Sequence, residues 1–199
     1  MELSSTALVV VDMQNGFVHP ESAHVVPVVV DMVRRWREAG GSIIFTRFIN
    51  VPGSAFERLL QWTAVAARPD TDIIDELALL AADSPVVDKP AYSMFTPEGI
   101  EVVEKGGWTD LVFCGLTTES CVLKSAVDAF EHGVTPWVLT DASATHAGQE
   151  AQEAGLLVTR RFIGAGQLIT TNDLQLSPGG LACTASPVVV QHNIIASAQ

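Results

Sequence analysis

Asp12, Lys89 and Cys121 are the residues of this chain whose types and settings can carry covalent chemistry. Cys121 lies in the run Phe113-Cys114-Gly115-Leu116-Thr117-Thr118-Glu119-Ser120-Cys121-Val122. The apolar stretch Leu111 to Cys114 reads as a strand that stops at Gly115. A short polar turn follows, and Cys121 then opens an amphipathic stretch, Val122 to Phe130, with helical spacing. A thiol on the first turn of a helix faces unpaired backbone N–H groups and the positive end of the helix dipole, which together lower its pKa. The competing reading is a small buried core cysteine. Strand, turn, cysteine and helix alone do not decide between them.

Two other segments bear on the choice. In Ala7-Leu8-Val9-Val10-Val11-Asp12-Met13-Gln14-Asn15-Gly16-Phe17 an apolar run ends in a carboxylate, as a central parallel strand would deliver one at its carboxyl end. Asp12 can equally cap the turn after that strand. In Pro85-Val86-Val87-Asp88-Lys89-Pro90-Ala91-Tyr92-Ser93-Met94-Phe95 a β-branched run delivers Lys89 just before a proline-containing loop. Alone, Lys89 reads as a solvated lysine, because lysine is almost never fully buried without a partner. Three strand ends bearing Asp, Lys and Cys are different. In an open parallel sheet such ends meet at one crevice, where the three groups can converge.

In that order and spacing, Val-Val-Asp12-Met-Gln-Asn-Gly-Phe, Lys89-Pro-Ala-Tyr-Ser-Met-Phe and Gly-Leu-Thr-Thr-Glu-Ser-Cys121-Val resemble the motifs of the isochorismatase-like cysteine hydrolases. That superfamily includes nicotinamidases, N-carbamoylsarcosine amidases and ureidoacrylate amidohydrolases. The resemblance runs over about residues 5 to 173, with Asp141-Ala142-Ser143-Ala144 and Ile169-Thr170-Thr171-Asn172-Asp173 as later matches. It implies that Asp12, Lys89 and Cys121 form a catalytic triad and that the backbone N–H groups of Thr117 and Cys121 hold an oxyanion. It also implies a cis peptide between Leu116 and Thr117, which no sequence pattern would predict. The chemistry implied is nucleophilic acyl transfer. Asp12 takes the thiol proton and returns it to the leaving amine, Lys89 holds the carboxylate, and water cleaves a thioester.

The specificity of such a site is less legible. Nicotinamidase members of the superfamily carry an Asp-x-His pair after the second strand for a metal ion, whereas Phe48 and Asn50 stand at those positions here. The five histidines show no pair at ligand spacing, so no metal and no cofactor is expected. Arg47 offers a cation at a strand end, suited to a substrate carboxylate or carbonyl, or else is a surface arginine. Phe17, Phe56, Trp62, Tyr92 and Phe95 can wall an apolar cavity or belong to the core, Phe95 the more so. His146 can line the site mouth or serve a structural role. The leading expectation is a metal-independent amidohydrolase acting on a small amide, ureido or carbamoyl compound. Isochorismatase activity is one alternative, weakened because those vinyl-ether hydrolases lack the cysteine. A catalytically silent binding or assembly protein on the same fold is the other.

The rest of the chain must position these residues. Strands read at Leu8–Asp12, Ser42–Arg47, Val86–Lys89, Leu111–Cys114, Pro136–Thr140 and Gln167–Thr171. Helices read at Val28–Ala39, after Thr96-Pro97-Glu98 and at about Gly148–Ile163, the last with Ala151, Gly155, Val158 and Phe162 on its apolar face. Asn50 to Asp72 is a mixed excursion with a short helix from Ser54. This alternation predicts an α/β class, three-layer, Rossmann-like domain on a six-stranded parallel sheet ordered 3-2-1-4-5-6. Residues 1–173 form the hydrolase domain and 174–199 an apolar C-terminal arm that packs on the body or on a neighbouring subunit.

Composition agrees with one folded domain: of 199 residues, 48% are hydrophobic and 17% charged. A net charge of −12 with no basic stripe argues against nucleic acid. No apolar run reaches membrane-spanning length, and three cysteines without disulfide or zinc spacing suit a reducing cytoplasm. The expected partners are a small-molecule substrate and further copies of the chain, as a dimer or tetramer.

Overall fold

The computed structural model describes residues 1–185. A six-stranded parallel sheet runs through the molecule in the order β3-β2-β1-β4-β5-β6, with β1 Thr6–Val11, β2 Ser42–Phe48, β3 Val86–Lys89, β4 Asp110–Leu116, β5 Thr135–Ala144 and β6 Leu168–Ile169. Every residue of β1 is buried, as a central strand covered on both faces must be. The twofold alternation of a strand sorts its side chains. Leu8 and Val10 join one core with the helix α1 (Val26–Glu38) and α3 (Asp75–Ala81). Ala7, Val9 and Val11 join a second core with α4 (Pro97–Gly106), α5 (Leu123–Glu131) and α6 (Gln149–Ile163). A short helix, α2 (Ala55–Leu60), stands on the excursion after β2.

Local sequence explains these elements. Thr96 caps α4 by accepting the Gly99 N–H, and Pro97 occupies the first turn. α1 turns Val29, Met32, Val33 and Trp36 inward at three- and four-residue spacing. Gly115 sits between β1 and β4 at φ +112, and a Cβ there would lie 2.2 Å from the Val11 carbonyl oxygen, so no other residue fits.

Several boundaries differ from the sequence reading. β4 continues past Gly115 to Leu116, and β1 ends at Val11 rather than Asp12. α3 was not legible: Ile74 at its N-cap makes no side-chain capping bond, and the helix has only seven residues. The buried face of α6 is Gly155, Thr159 and Ile163. Val158 and Phe162, expected inward, are 39% and 56% exposed. After β6 the chain forms a hairpin, β7 Leu174–Ser177 with β8 Gly180–Cys183. Leu174 is buried and Leu176 packs against the α1-side core, while the Gly179 N–H donates to the Ala39 carbonyl over 2.8 Å. The apolar segments Pro187–Val190 and Ile194–Ile195, on which the reading of an arm rested, lie outside the described residues.

Candidate active site

Asp12, Lys89 and Cys121 meet at the carboxyl edge of the sheet, where the strand order reverses between β1 and β4. The chain leaves β1 through Asp12, whose φ of +46 lies in the left-handed region. Asp is among the few residue types that tolerate this. Outliers of this kind collect at functional sites. The turn is fastened from both sides. The Asp12 N–H donates to Thr46 Oγ1 over 3.1 Å, and the Thr46 hydroxyl donates back to Asp12 Oδ1 over 2.6 Å. Two residues on, the buried Gln14 side chain accepts the Phe48 N–H and donates to the carbonyls of Phe48 and Thr71, at 2.7 to 3.0 Å.

Lys89 closes β3 and is 1% exposed. Its ammonium donates to Asp12 Oδ2 over 2.7 Å and to the carbonyls of Ala91 and Tyr92 over 3.0 Å each. All three hydrogens are therefore used. Burial by itself would favour the neutral amine, but the Asp12 and Cys121 side chains outweigh it and hold the lysine above its ordinary pKa.

Cys121 stands on a π-helical turn, Thr118–Val122, ahead of α5. The Thr117 carbonyl accepts from Ser120 N–H and Val122 N–H at 3.1 and 3.2 Å, which winds that turn. The Leu116–Thr117 peptide is cis. Gly155 of α6 packs directly on the turn, and a Cβ there would lie 2.8 Å from Glu119 Cα. The expectation that a helix end lowers the Cys121 pKa is corrected. Burial and the Asp12 carboxylate raise it, and Lys89 offsets them only in part. The resting group is therefore a thiol with a carboxylate beside it, rather than a standing thiolate.

The thiol opens on a cavity of about 160 Å³, and a cavity of roughly 150 Å³ holds a benzene ring. Phe17, Phe48, Phe56, Leu60, Trp62 and Tyr92 supply its apolar lining, and Thr117, Glu119, Ser120 and His146 line it together with Cys121. Phe48 packs in the aromatic group, with ring centroids 4.9 Å from Phe56, 5.5 Å from Trp62 and 5.9 Å from Phe17. Lys89 Nζ lies 5.5 Å over the same ring, within cation–π range.

Of the predicted pocket residues, Phe17, Trp62 and Tyr92 line the cavity and Arg47 does not. Strand alternation separates Arg47 from Phe48. Phe48 pairs in register with Lys89 and faces the cavity, whereas Arg47 pairs with Asp88 and holds that carboxylate at 2.7 Å through both Nε and Nη2. Phe95 stacks on His132 with centroids 4.8 Å apart, also away from the cavity. Phe48, Leu60, Glu119 and Ser120 were missed as lining residues. The period-2 pattern beside Lys89 was the available signal for Phe48, and proximity to Cys121 the signal for Glu119 and Ser120.

Phe48 and Asn50, which stand where the resemblance puts metal ligands in nicotinamidases, do not fit a metal ion. Phe48 has no donor atom. Asn50 accepts from Ser54 Oγ at 2.7 Å and donates to the carbonyls of Trp62 and Ala64 at 2.9 and 3.2 Å, so it ties down the segment that carries Phe56 and Trp62. Among the described residues no three His, Cys, Asp or Glu side chains are grouped as a metal site. His19 and His146 adjoin, with ring centroids 4.9 Å apart.

Known proteins resemble this chain in sequence and in fold. The chain is 29% identical over 160 residues to Nicotinamidase 3 of Arabidopsis thaliana, covering 76% of this chain and 78% of that one. It is 28% identical over 198 residues to the ureidoacrylate amidohydrolase RutB of Stutzerimonas stutzeri, covering 82% and 79%. The crystal structure of an isochorismatase-like hydrolase from Alkaliphilus metalliredigens superposes with a TM-score of 0.75 at 24% identity, over 84% of this chain and 95% of that one. Residues 6–173 match the isochorismatase domain, and the chain belongs to that family.

Proposed function

We propose that this protein is a metal-independent cysteine amidohydrolase that cleaves a C–N bond of a small amide, ureido or carbamoyl compound. The observation that carries the reading is the buried Asp12–Lys89 pair set against the Cys121 thiol at the wall of a small cavity. The two relatives named above, a nicotinamidase and a ureidoacrylate amidohydrolase, support C–N cleavage as the reaction class.

The chemistry follows from the protonation states. Cys121 is held as a thiol, so attack on the substrate carbonyl needs a base at the moment of reaction, and the Asp12 carboxylate takes the proton from Sγ. The new C–S bond pushes the carbonyl electrons onto oxygen, which the backbone N–H groups of Thr117 and Cys121 receive. Collapse of this intermediate breaks the C–N bond, and Asp12 returns its proton to the departing nitrogen. Water then adds to the thioester, with Asp12 taking a proton from it. Collapse expels the Cys121 sulfur, which regains that proton. Lys89 stays charged throughout, fixing Asp12 through one hydrogen and the loop after β3 through the other two.

A screen of small amides, ureido and carbamoyl compounds for released ammonia or amine tests this reading. At least one should turn over with wild type and not with Cys121→Ala. Equal turnover by the two proteins would overturn it.

A further inference from the structure

We infer that Glu119 is a specificity-determining residue that closes the cavity to substrates bearing a carboxylate and favours those whose acyl part carries a hydrogen-bond donor or a cation. This rests on the amidohydrolase reading above and names its substrate class.

The charges around the cavity lead there. Among the described residues no lysine or arginine lines it. Lys89 lies behind the wall with its three hydrogens committed to Asp12, Ala91 and Tyr92. Arg47, which sequence alone offered as a cation for a substrate carboxylate, is locked to Asp88 on the other face of the sheet. Burial and the neighbouring His19 hold His146 below the ordinary histidine pKa, so the imidazole on the wall is neutral at pH 7. Glu119 is left as the charged side chain that lines the cavity.

Its carboxylate is only half satisfied. Oε1 accepts the Thr145 hydroxyl over 2.8 Å. Oε2 is buried and accepts no hydrogen bond from the described residues. The backbone beneath cannot shift away, because Gly155 of α6 packs against Glu119 Cα with no room for a methyl group. A buried acceptor without a donor is costly and calls for an explanation. A donor on the bound molecule supplies one once the side chain pivots about its Thr145 bond and turns Oε2 to the cavity. An N–H, hydroxyl or ammonium group on the acyl part pairs with Glu119 while the apolar remainder meets the Phe48 and Trp62 wall. A carboxylate in the same volume confronts Glu119 with no cation to offset it, in a cavity too small and apolar to screen the repulsion.

Three probes on one ring test this: benzamide, 3-aminobenzamide and 3-carbamoylbenzoate, each assayed for ammonia release by wild type and Glu119→Gln. Binding of each to Cys121→Ala is measured by calorimetry. Glutamine keeps an acceptor for Thr145 and removes the charge. For wild type, kcat/KM on 3-carbamoylbenzoate should fall about 30-fold or more below that on benzamide, while 3-aminobenzamide matches or exceeds benzamide. Glu119→Gln should recover the carboxylate probe by about tenfold, mainly through KM, and erase any preference for 3-aminobenzamide. Turnover of the three probes with equal kcat/KM, or a ratio unchanged in Glu119→Gln, would overturn the inference and leave the amidohydrolase reading standing. The same charge selectivity in binding to Cys121→Ala, with no ammonia released by wild type, would support the charge filter and count against the amidohydrolase reading.

Discussion

Lys89 Nζ lies 2.7 Å from Asp12 Oδ2, with the two side chains 0% and 1% exposed. Neither charge can turn to water if the other is removed, and this gives the pair a distinct mutational signature. Lys89→Met should destabilise the fold by about 3–5 kcal/mol, because it leaves a buried carboxylate unpaired. Adding Asp12→Asn should restore much of that loss without restoring activity. Denaturant unfolding of the two variants checks this, and equal stability of the single and double variants would contradict it. In turnover, Lys89→Met and Asp12→Asn should each lose several orders of magnitude, and the double variant should be little worse than either, since groups acting as one unit are non-additive.

The second fully buried cysteine predicts an alkaline limit to stability. Burial pushes the Cys114 thiol from an ordinary value of 9.0 up to about 12. In the unfolded chain it ionises near 9 while the folded chain still holds the proton. The unfolded state therefore binds fewer protons between these values, and stability falls as pH rises through that window. The loss from this group should reach about 4 kcal/mol by the upper end, at about 1.4 kcal/mol per unit. Denaturant unfolding of wild type and Cys114→Val between pH 8 and 11 measures it, and the variant should show the shallower decline.

Activity should be indifferent to metal. Phe48 and Asn50 serve the aromatic wall and the segment behind it, with Asn50 fully engaged by Ser54, Trp62 and Ala64. Dialysis against EDTA should leave turnover unchanged and elemental analysis should find no stoichiometric zinc, iron or manganese. One metal ion per chain, lost together with activity, would contradict this.

Much of this architecture was legible because strand ends carried it. Apolar runs ending in Asp12, Lys89 and Cys114 marked β1, β3 and β4, and the strand order followed from parallel crossovers. Apolar character misled on α6, where Thr159 is buried through a 2.8 Å bond to the Gly155 carbonyl while Phe162 faces outward. Of the two readings of Arg47, a cation for the substrate and a surface arginine, its pairing with Asp88 favours the second, because neighbouring residues of a strand face opposite sides of the sheet. At Cys121 burial and the adjacent carboxylate outweigh the helix-end effect. Neither is visible in local sequence.

The outward side chains of α6 carry the remaining expectation, a homo-oligomer. Val158 and Phe162 stand one turn apart, and Leu157 beside them is 50% exposed. Apolar side chains in such number on one helix are a common mark of a subunit contact. Sedimentation velocity at micromolar concentration should show a dimer or tetramer, shifted toward monomer by Phe162→Glu. A stable species of 21.2 kDa would contradict it.

The most direct test of the account is the covalent intermediate on Cys121. Once a turned-over amide is in hand, the reaction should be quenched in acid during steady turnover and the protein digested for mass spectrometry. The peptide carrying Cys121 should gain the mass of the acyl group, the amide less its amine, and those carrying Cys114 and Cys183 should not. An acyl adduct on another residue, or full turnover by Cys121→Ala, would contradict the assignment of Cys121 as the nucleophile.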